Sequence, residues 1–134
     1  MISIHLRSRR SACGSLAMLV ALSIAGCSAG VANPVDPDRA RVALKTALDH
    51  WKSGGDPLSM PASATPMTVQ DLEWQSGAKL LDYEVLGDGE PADANLRVKV
   101  KLTLAGKTKK AEKTVNYLVT TSPAVTVFRD MLRR

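Results

Sequence analysis

The side chains best suited to chemistry in this sequence of 134 residues are one acid and four aromatics: Asp71, Trp51, Trp74, Tyr83 and Tyr117. A carboxylate set among aromatic walls can make a ligand pocket, because apolar surface gives affinity and a few polar groups fix orientation. A buried acid of raised pKa could also act as a general base. Little else is on offer. Beyond residue 26 the sole histidine is His50, and its neighbour Asp49 points about 100° away on a helix of 3.6 residues per turn. That pair lacks the oriented base and nucleophile that catalysis by histidine needs, so His50 reads as a helix-end or surface residue. A metal site needs three or four ligands, and one histidine among scattered carboxylates gives no such spacing. No metal or cofactor is expected. Gly87-Asp88-Gly89 has no helix after it and reads as a hairpin turn, not a phosphate loop. The chain holds only two Trp, two Tyr and one Phe. With so few large residues, the five named side chains read first as core and second as pocket, and no catalytic residue is assigned.

The elements that would position them follow from periodicity. Asp36 suits a helix cap, Pro37 the first turn, and Asp38 the positive end of the helix dipole. Ala40, Leu44, Ala47, Leu48 and Trp51 mark one apolar face, and Gly54-Gly55 stop the helix. Residues 56–66, with three prolines, form a loop. Residues 67–74 alternate and predict a short strand. Residues 78–86 predict a second, with Leu81, Tyr83 and Val85 inward and Asp82 and Glu84 outward. Residues 87–95 are rich in turn formers. Residues 96–104 alternate most strictly, with Leu96, Val98, Val100, Leu102 and Leu104 on one face. Residues 110–121 predict a further strand with Val115, Tyr117 and Val119 inward, and residues 124–128 the last. One N-terminal helix packed on a four- to five-stranded antiparallel sheet is an α+β domain, here spanning residues 37–134.

The N-terminus has a different character. Arg7, Arg9 and Arg10 precede the apolar run Leu16–Ala25, in the order of an export signal. The run is shorter than the roughly 20 residues that span a bilayer. It ends in Ile24-Ala25-Gly26-Cys27, which resembles the lipobox of bacterial lipoproteins. That resemblance implies a signal peptide over 1–26, lipid on Cys27, and a tether over 27–36. The chain would be a membrane-anchored lipoprotein of the cell envelope, facing the periplasm or exterior. The flexible stretch 28–35 would cover roughly 16 Å. Cleavage leaves 108 residues and removes three arginines, so the formal charge falls from +5 to +2. Such mild basicity, and export, argue against nucleic acid as a partner. Cys13 leaves with the signal and Cys27 takes lipid, so no disulfide is expected.

The element order resembles the cystatin-like superfold, and within it the nuclear transport factor 2-like group. A closer likeness rests on Ala47, Leu48, Trp51, Lys52 and Gly54, then Val69, Asp71, Trp74, Gly77, Leu80 and Tyr83. It continues through Asn95-Leu96-Arg97-Val98, Glu112 to Val115 with Tyr117, and Thr126-Val127-Phe128-Arg129. Together these strings are similar to small exported lipoproteins of planctomycete-type bacteria. The resemblance implies a fold and a location and carries no catalytic residues. The lipobox, the short tether and the lack of catalytic motifs point to a non-catalytic binding or accessory role, with an envelope protein or anionic polymer as partner. Some enzymes of the nuclear transport factor 2-like group place an acid and a tyrosine in a cone beneath the helix, which is the alternative. A structural envelope component is another. Charge bears on it: residues 97–113 carry Arg97, Lys99, Lys101, Lys107, Lys109, Lys110 and Lys113 against Glu112 alone, while 82–93 carry five acids and no base. Cross-strand pairing on a solvated face is the expectation. A basic face for anionic lipid or wall polymer is the other reading.

Overall fold

Burial along β3 (Asn95–Leu104) follows the sequence alternation: Leu96, Val98, Val100, Leu102 and Leu104 are all buried and the residues between them are not. The computed structural model describes residues 33–61 and 65–132. Residues 1–26, expected to be an export signal, and Cys27 lie outside the described residues. In chain order the elements are α1 (Pro37–Lys52), β1 (Met67–Gln70), α2 (Leu72–Gln75), β2 (Leu80–Ala92), β3, β4 (Ala111–Thr120) and β5 (Val125–Asp130). They form an α+β domain. A five-stranded sheet runs β1-β5-β4-β3-β2, and α1 packs across one face.

Strands β2 to β5 form an antiparallel meander. Strand β1 departs from the all-antiparallel expectation, adding at the edge in parallel to β5 with Met67 opposite Val125 and Val69 opposite Val127. The register puts Val69, Val125 and Val127 on the same face as Tyr117, Val119 and the β3 core row. Helix α1 closes this face with Ala40, Ala43, Leu44, Ala47, Leu48 and Trp51, each at most 5 % exposed. Its start is capped as the sequence predicts, the Asp36 carboxylate accepting from the N–H groups of Asp38 and Arg39. The Asp36 N–H in turn donates to Thr121 Oγ1 at 2.9 Å, and Val35 packs on the core. The last residues of the span read as tether are therefore held to the domain.

Three local expectations need correction. Residues 67–74 are not one strand: β1 ends at Gln70, and Asp71 caps the single turn α2. Leu81 does not face inward. The register slips between Leu80 and Asp82, so Leu80 takes the core position opposite Leu104 and Leu81 is 39 % exposed. Residues 87–95 are not all turn. β2 continues to Ala92 through a second irregularity between Leu86 and Glu90, and only Asp93-Ala94 turn the chain back. Gly87 and Gly89 both have positive φ there, which side-chain-bearing residues rarely adopt. A Cβ on Gly89 would also lie 3.0 Å from the Arg97 carbonyl oxygen. These bulges twist the edge strand, and its acids meet other partners than expected. Glu84 lies opposite Lys101 and Glu90 opposite Arg97 in register. The ion pairs instead run from Asp82 to Lys52 of α1, from Lys101 to Glu112, and from Arg97 to Asp130.

Candidate functional site

Asp71 sits where the parallel strand ends and α2 begins, and it is 1 % exposed. Burying a carboxylate is costly unless its oxygens are met by donors. Here four donors meet them. Oδ1 accepts from the Glu73 N–H at 2.9 Å, the Trp74 N–H at 3.3 Å and Arg129 Nη1 at 3.2 Å. Oδ2 accepts from the Tyr117 hydroxyl at 2.6 Å. Arg129 also donates to Glu73, which is bonded to Lys113 as well. Two acids from the α2 turn are thus matched by two cations from β4 and β5. Burial raises the Glu73 pKa, but Lys113 and Arg129 outweigh it and hold the carboxyl below its usual value. Burial opposes the Arg129 charge, and Glu73 and Asp71 outweigh that too, leaving its pKa raised. Burial first, and then the Asp71 charge, push the Tyr117 phenol far above its usual range.

Beside this network the two tryptophans clasp the ends of the two helices. Helix α1 stops at Gly54 and α2 at Gly77, both in the positive-φ conformation. The indoles of Trp51 and Trp74 stack, 5.3 Å between centroids and 9° from parallel. Each donates its N–H to the chain just beyond the other's helix: Trp51 Nε1 to the Ala78 carbonyl at 2.7 Å, Trp74 Nε1 to the Gly55 carbonyl at 2.8 Å. Buried indoles need such partners. His50 meets the edge of Trp74, and its Nε2 lies 3.1 Å from the Asp56 carbonyl oxygen. Trp51 and Trp74 border a surface groove of about 600 Å³, together with Lys52 to Pro57 and Gly77 to Leu81.

The five residues singled out from the sequence therefore separate. Asp71 and Tyr117 are bonded to each other, and Trp51 and Trp74 stack next to them. Tyr83 stands apart at the α1–β2 edge, where its hydroxyl donates to Asp49. Burial, followed by the Asp49 bond, raises its pKa. Asp49 is held below the usual carboxylate range by Lys45 first and Tyr83 second. Glu73, Lys113 and Arg129 are members of the network that sequence reasoning passed over. Arg129 carried a signal, since it alternates with the inward Val125 and Val127 and a buried cation calls for a buried acid. A second groove, of about 460 Å³, borders the network along Glu73, Lys113, Val115, Arg129 and Met131.

Among the described residues no three His, Cys, Asp or Glu side chains come together to hold a metal ion, and no helix is long and apolar enough to cross a membrane. No protein-family model, curated protein or solved structure matches this chain. The site must be interpreted from its own geometry.

Proposed function

We propose that this chain is a bacterial envelope lipoprotein whose folded part is a non-catalytic binding or accessory domain. In this reading residues 1–26 are the export signal, Cys27 carries lipid, and the helix and sheet follow a cystatin-like arrangement. It keeps the likeness to small exported proteins of planctomycete-type bacteria. The observation that carries it is Ile24-Ala25-Gly26-Cys27 at the end of an apolar run behind Arg7, Arg9 and Arg10. The Asp71 corner supports the non-catalytic part. A carboxylate 1 % exposed and engaged by four donors serves as a structural cap and counter-ion. The stacked tryptophans similarly spend both N–H groups on carbonyls within the domain.

Several acyl chains together hold a protein stably on a bilayer. Cys27→Ser should therefore release the chain from the membrane fraction or leave it unprocessed. Intact mass of the wild-type protein should correspond to a chain that begins at Cys27 with lipid attached. A wild-type mass that retains residues 1–26 refutes the reading.

A further inference from the structure

The two ends of the domain differ in charge, and the chain enters at one of them. Asp36 bonds Thr121, so α1 starts beside the β4–β5 turn. Leu96 pairs with Val119, which brings the Asp93-Ala94 turn to the same end. Asp36, Asp38, Glu90 and Asp93 gather there. Of the three cations near that end, Arg41 and Arg97 are taken up by Asp38 and Asp130, and Arg39 is exposed beside the Asp36 cap. At the other end lies the β3–β4 turn, tied to the start of β2 by a bond from the Ala105 N–H to the Lys79 carbonyl at 3.0 Å. Lys79, Lys107, Lys109 and Lys110 are exposed there, and none has an acid within ion-pair distance among the described residues; the acids at this end, Asp82 and Glu112, pair with Lys52 and Lys101, and Lys110 reaches Asp82 only at longer range. The groove of about 600 Å³ beside the tryptophans opens at this same end, with Lys79, Asp56 and the Asp82-paired Lys52 on its walls. Ten residues of β3 separate the two ends, roughly 30 Å at about 3.3 Å per residue.

We propose that this basic pole, formed by Lys79 and the turn Lys107 to Lys110 with the groove beside them, binds a polymer bearing repeated anionic groups. The inference deepens the envelope reading above and rests on it for orientation. A lipid on Cys27 puts the anchoring bilayer at the acidic entry end, at the end of a tether of roughly 16 Å. The lysines then point away from that bilayer, beyond the roughly 8 Å over which surface charge acts at physiological salt. A polyanion lying outside the membrane can reach them where the protein's own headgroups cannot. The repeat of charges suits a run of exposed ammonium groups that are not bound to the protein's own acids. The groove gives one unit of such a chain a place of the size usual for small ligands.

The test uses the full chain carried in nanodiscs of neutral phosphatidylcholine, at 150 mM salt. Binding is measured to linear polyphosphate, to polygalacturonate, to neutral dextran and to phosphatidylglycerol vesicles. Wild type should retain at least one of the two anionic polymers and leave dextran unbound. Lys107→Gln, Lys109→Gln and Lys110→Gln together should weaken polymer binding at least tenfold. A charge-matched control, Arg39→Gln with Lys45→Gln and Lys99→Gln, should change it less than threefold. Equal losses in both variants would mean that overall charge, not the pole, is responsible, and would overturn the proposal. So would binding of neither polymer, or capture of the vesicles through the same lysines in place of the polymers. Failure of the chain to enter nanodiscs would count against the Cys27 anchor alone. The polymers are then tested on the chain in solution, where the same variants decide.

Discussion

The corner around Asp71 and the outer face of the sheet both carry opposite charges in register, and they use them differently. At the corner the carboxylate is buried and each oxygen has a donor, so the charges fix where α2 sits on β4 and β5. On the outer face the ion pairs are long, 3.6 Å for Arg97 to Asp130 and 3.7 Å for Lys101 to Glu112. Arg97 Nε is buried there without a hydrogen bond. Completeness of the hydrogen bonding, not the number of charges, separates the two. At the corner every oxygen of the buried carboxylate is met, whereas on the outer face the Lys101–Glu112 pair is left to water and the partly buried Arg97–Asp130 pair stays loosely made.

The largest test of this contrast is Asp71→Ala. It removes the cap of α2 and leaves Arg129 and the Tyr117 hydroxyl short of a partner. Breaking a buried pair typically costs about 3–5 kcal/mol, a large part of a small domain's stability. A chemical denaturation midpoint close to wild type would show that the corner is not what holds α2. Tyr117→Phe takes away one donor and should cost about 1–3 kcal/mol. The same bond has a spectroscopic consequence. Both tyrosines of the chain have raised pKa values, so 295 nm absorbance should show no phenolate near pH 10 while the domain is folded. Phenolate should come with alkaline unfolding, because a raised folded pKa stabilises below the unfolded value and that gain is lost as pH rises above it. A phenolate step preceding unfolding would place a tyrosine in open solvent.

Glu73 gives the acid counterpart. Its folded pKa lies below the usual 4.5, so its contribution is present above that value and drains away as pH falls from there through the folded pKa. Glu73→Gln should flatten the fall in thermal midpoint below about pH 4.5. An unchanged profile would assign acid sensitivity elsewhere, Asp49 and Asp82 being the other carboxyls held below their usual value. The smallest effect belongs to the outer face. Lys101→Gln should shift stability by no more than about 1 kcal/mol. A loss comparable with Asp71→Ala would end the contrast between the regions.

The sequence made some of this legible and hid the rest for physical reasons. Helix α1 could be read from its cap, its apolar face and its terminal glycines, since each signal is local. β3 could be read because its inward row is uninterrupted. α2 could not, since one turn is too short to show a period of 3.6, and Met67 to Trp74 alternates well enough to pass for a strand. The slip at Leu81 was invisible because Leu80 and Leu81 are the same residue type and either can fill the core position. Gly87 and Gly89 point to unusual backbone, but the same glycines serve a bulge within a strand as well as a turn at its end. The Asp71 partners were hidden by distance along the chain, Tyr117 lying 46 residues away and Arg129 58. Only strand order and register could bring them together.

The parallel pairing of β1 with β5 bears on the order in which the chain can fold. The three strands β2, β3 and β4 are joined by short turns and can zip up from neighbouring segments. β1 has no such neighbour, because its partner is the final strand. Until β5 has been made, Met67 to Gln70 lack a ladder, and Asp71 and Glu73 lack Arg129. Closing a loop of this length carries an entropic cost that must be met before the contacts repay it. The growing chain therefore holds its first strand in reserve, and docking of β5 completes the sheet edge and the charge network in one late step.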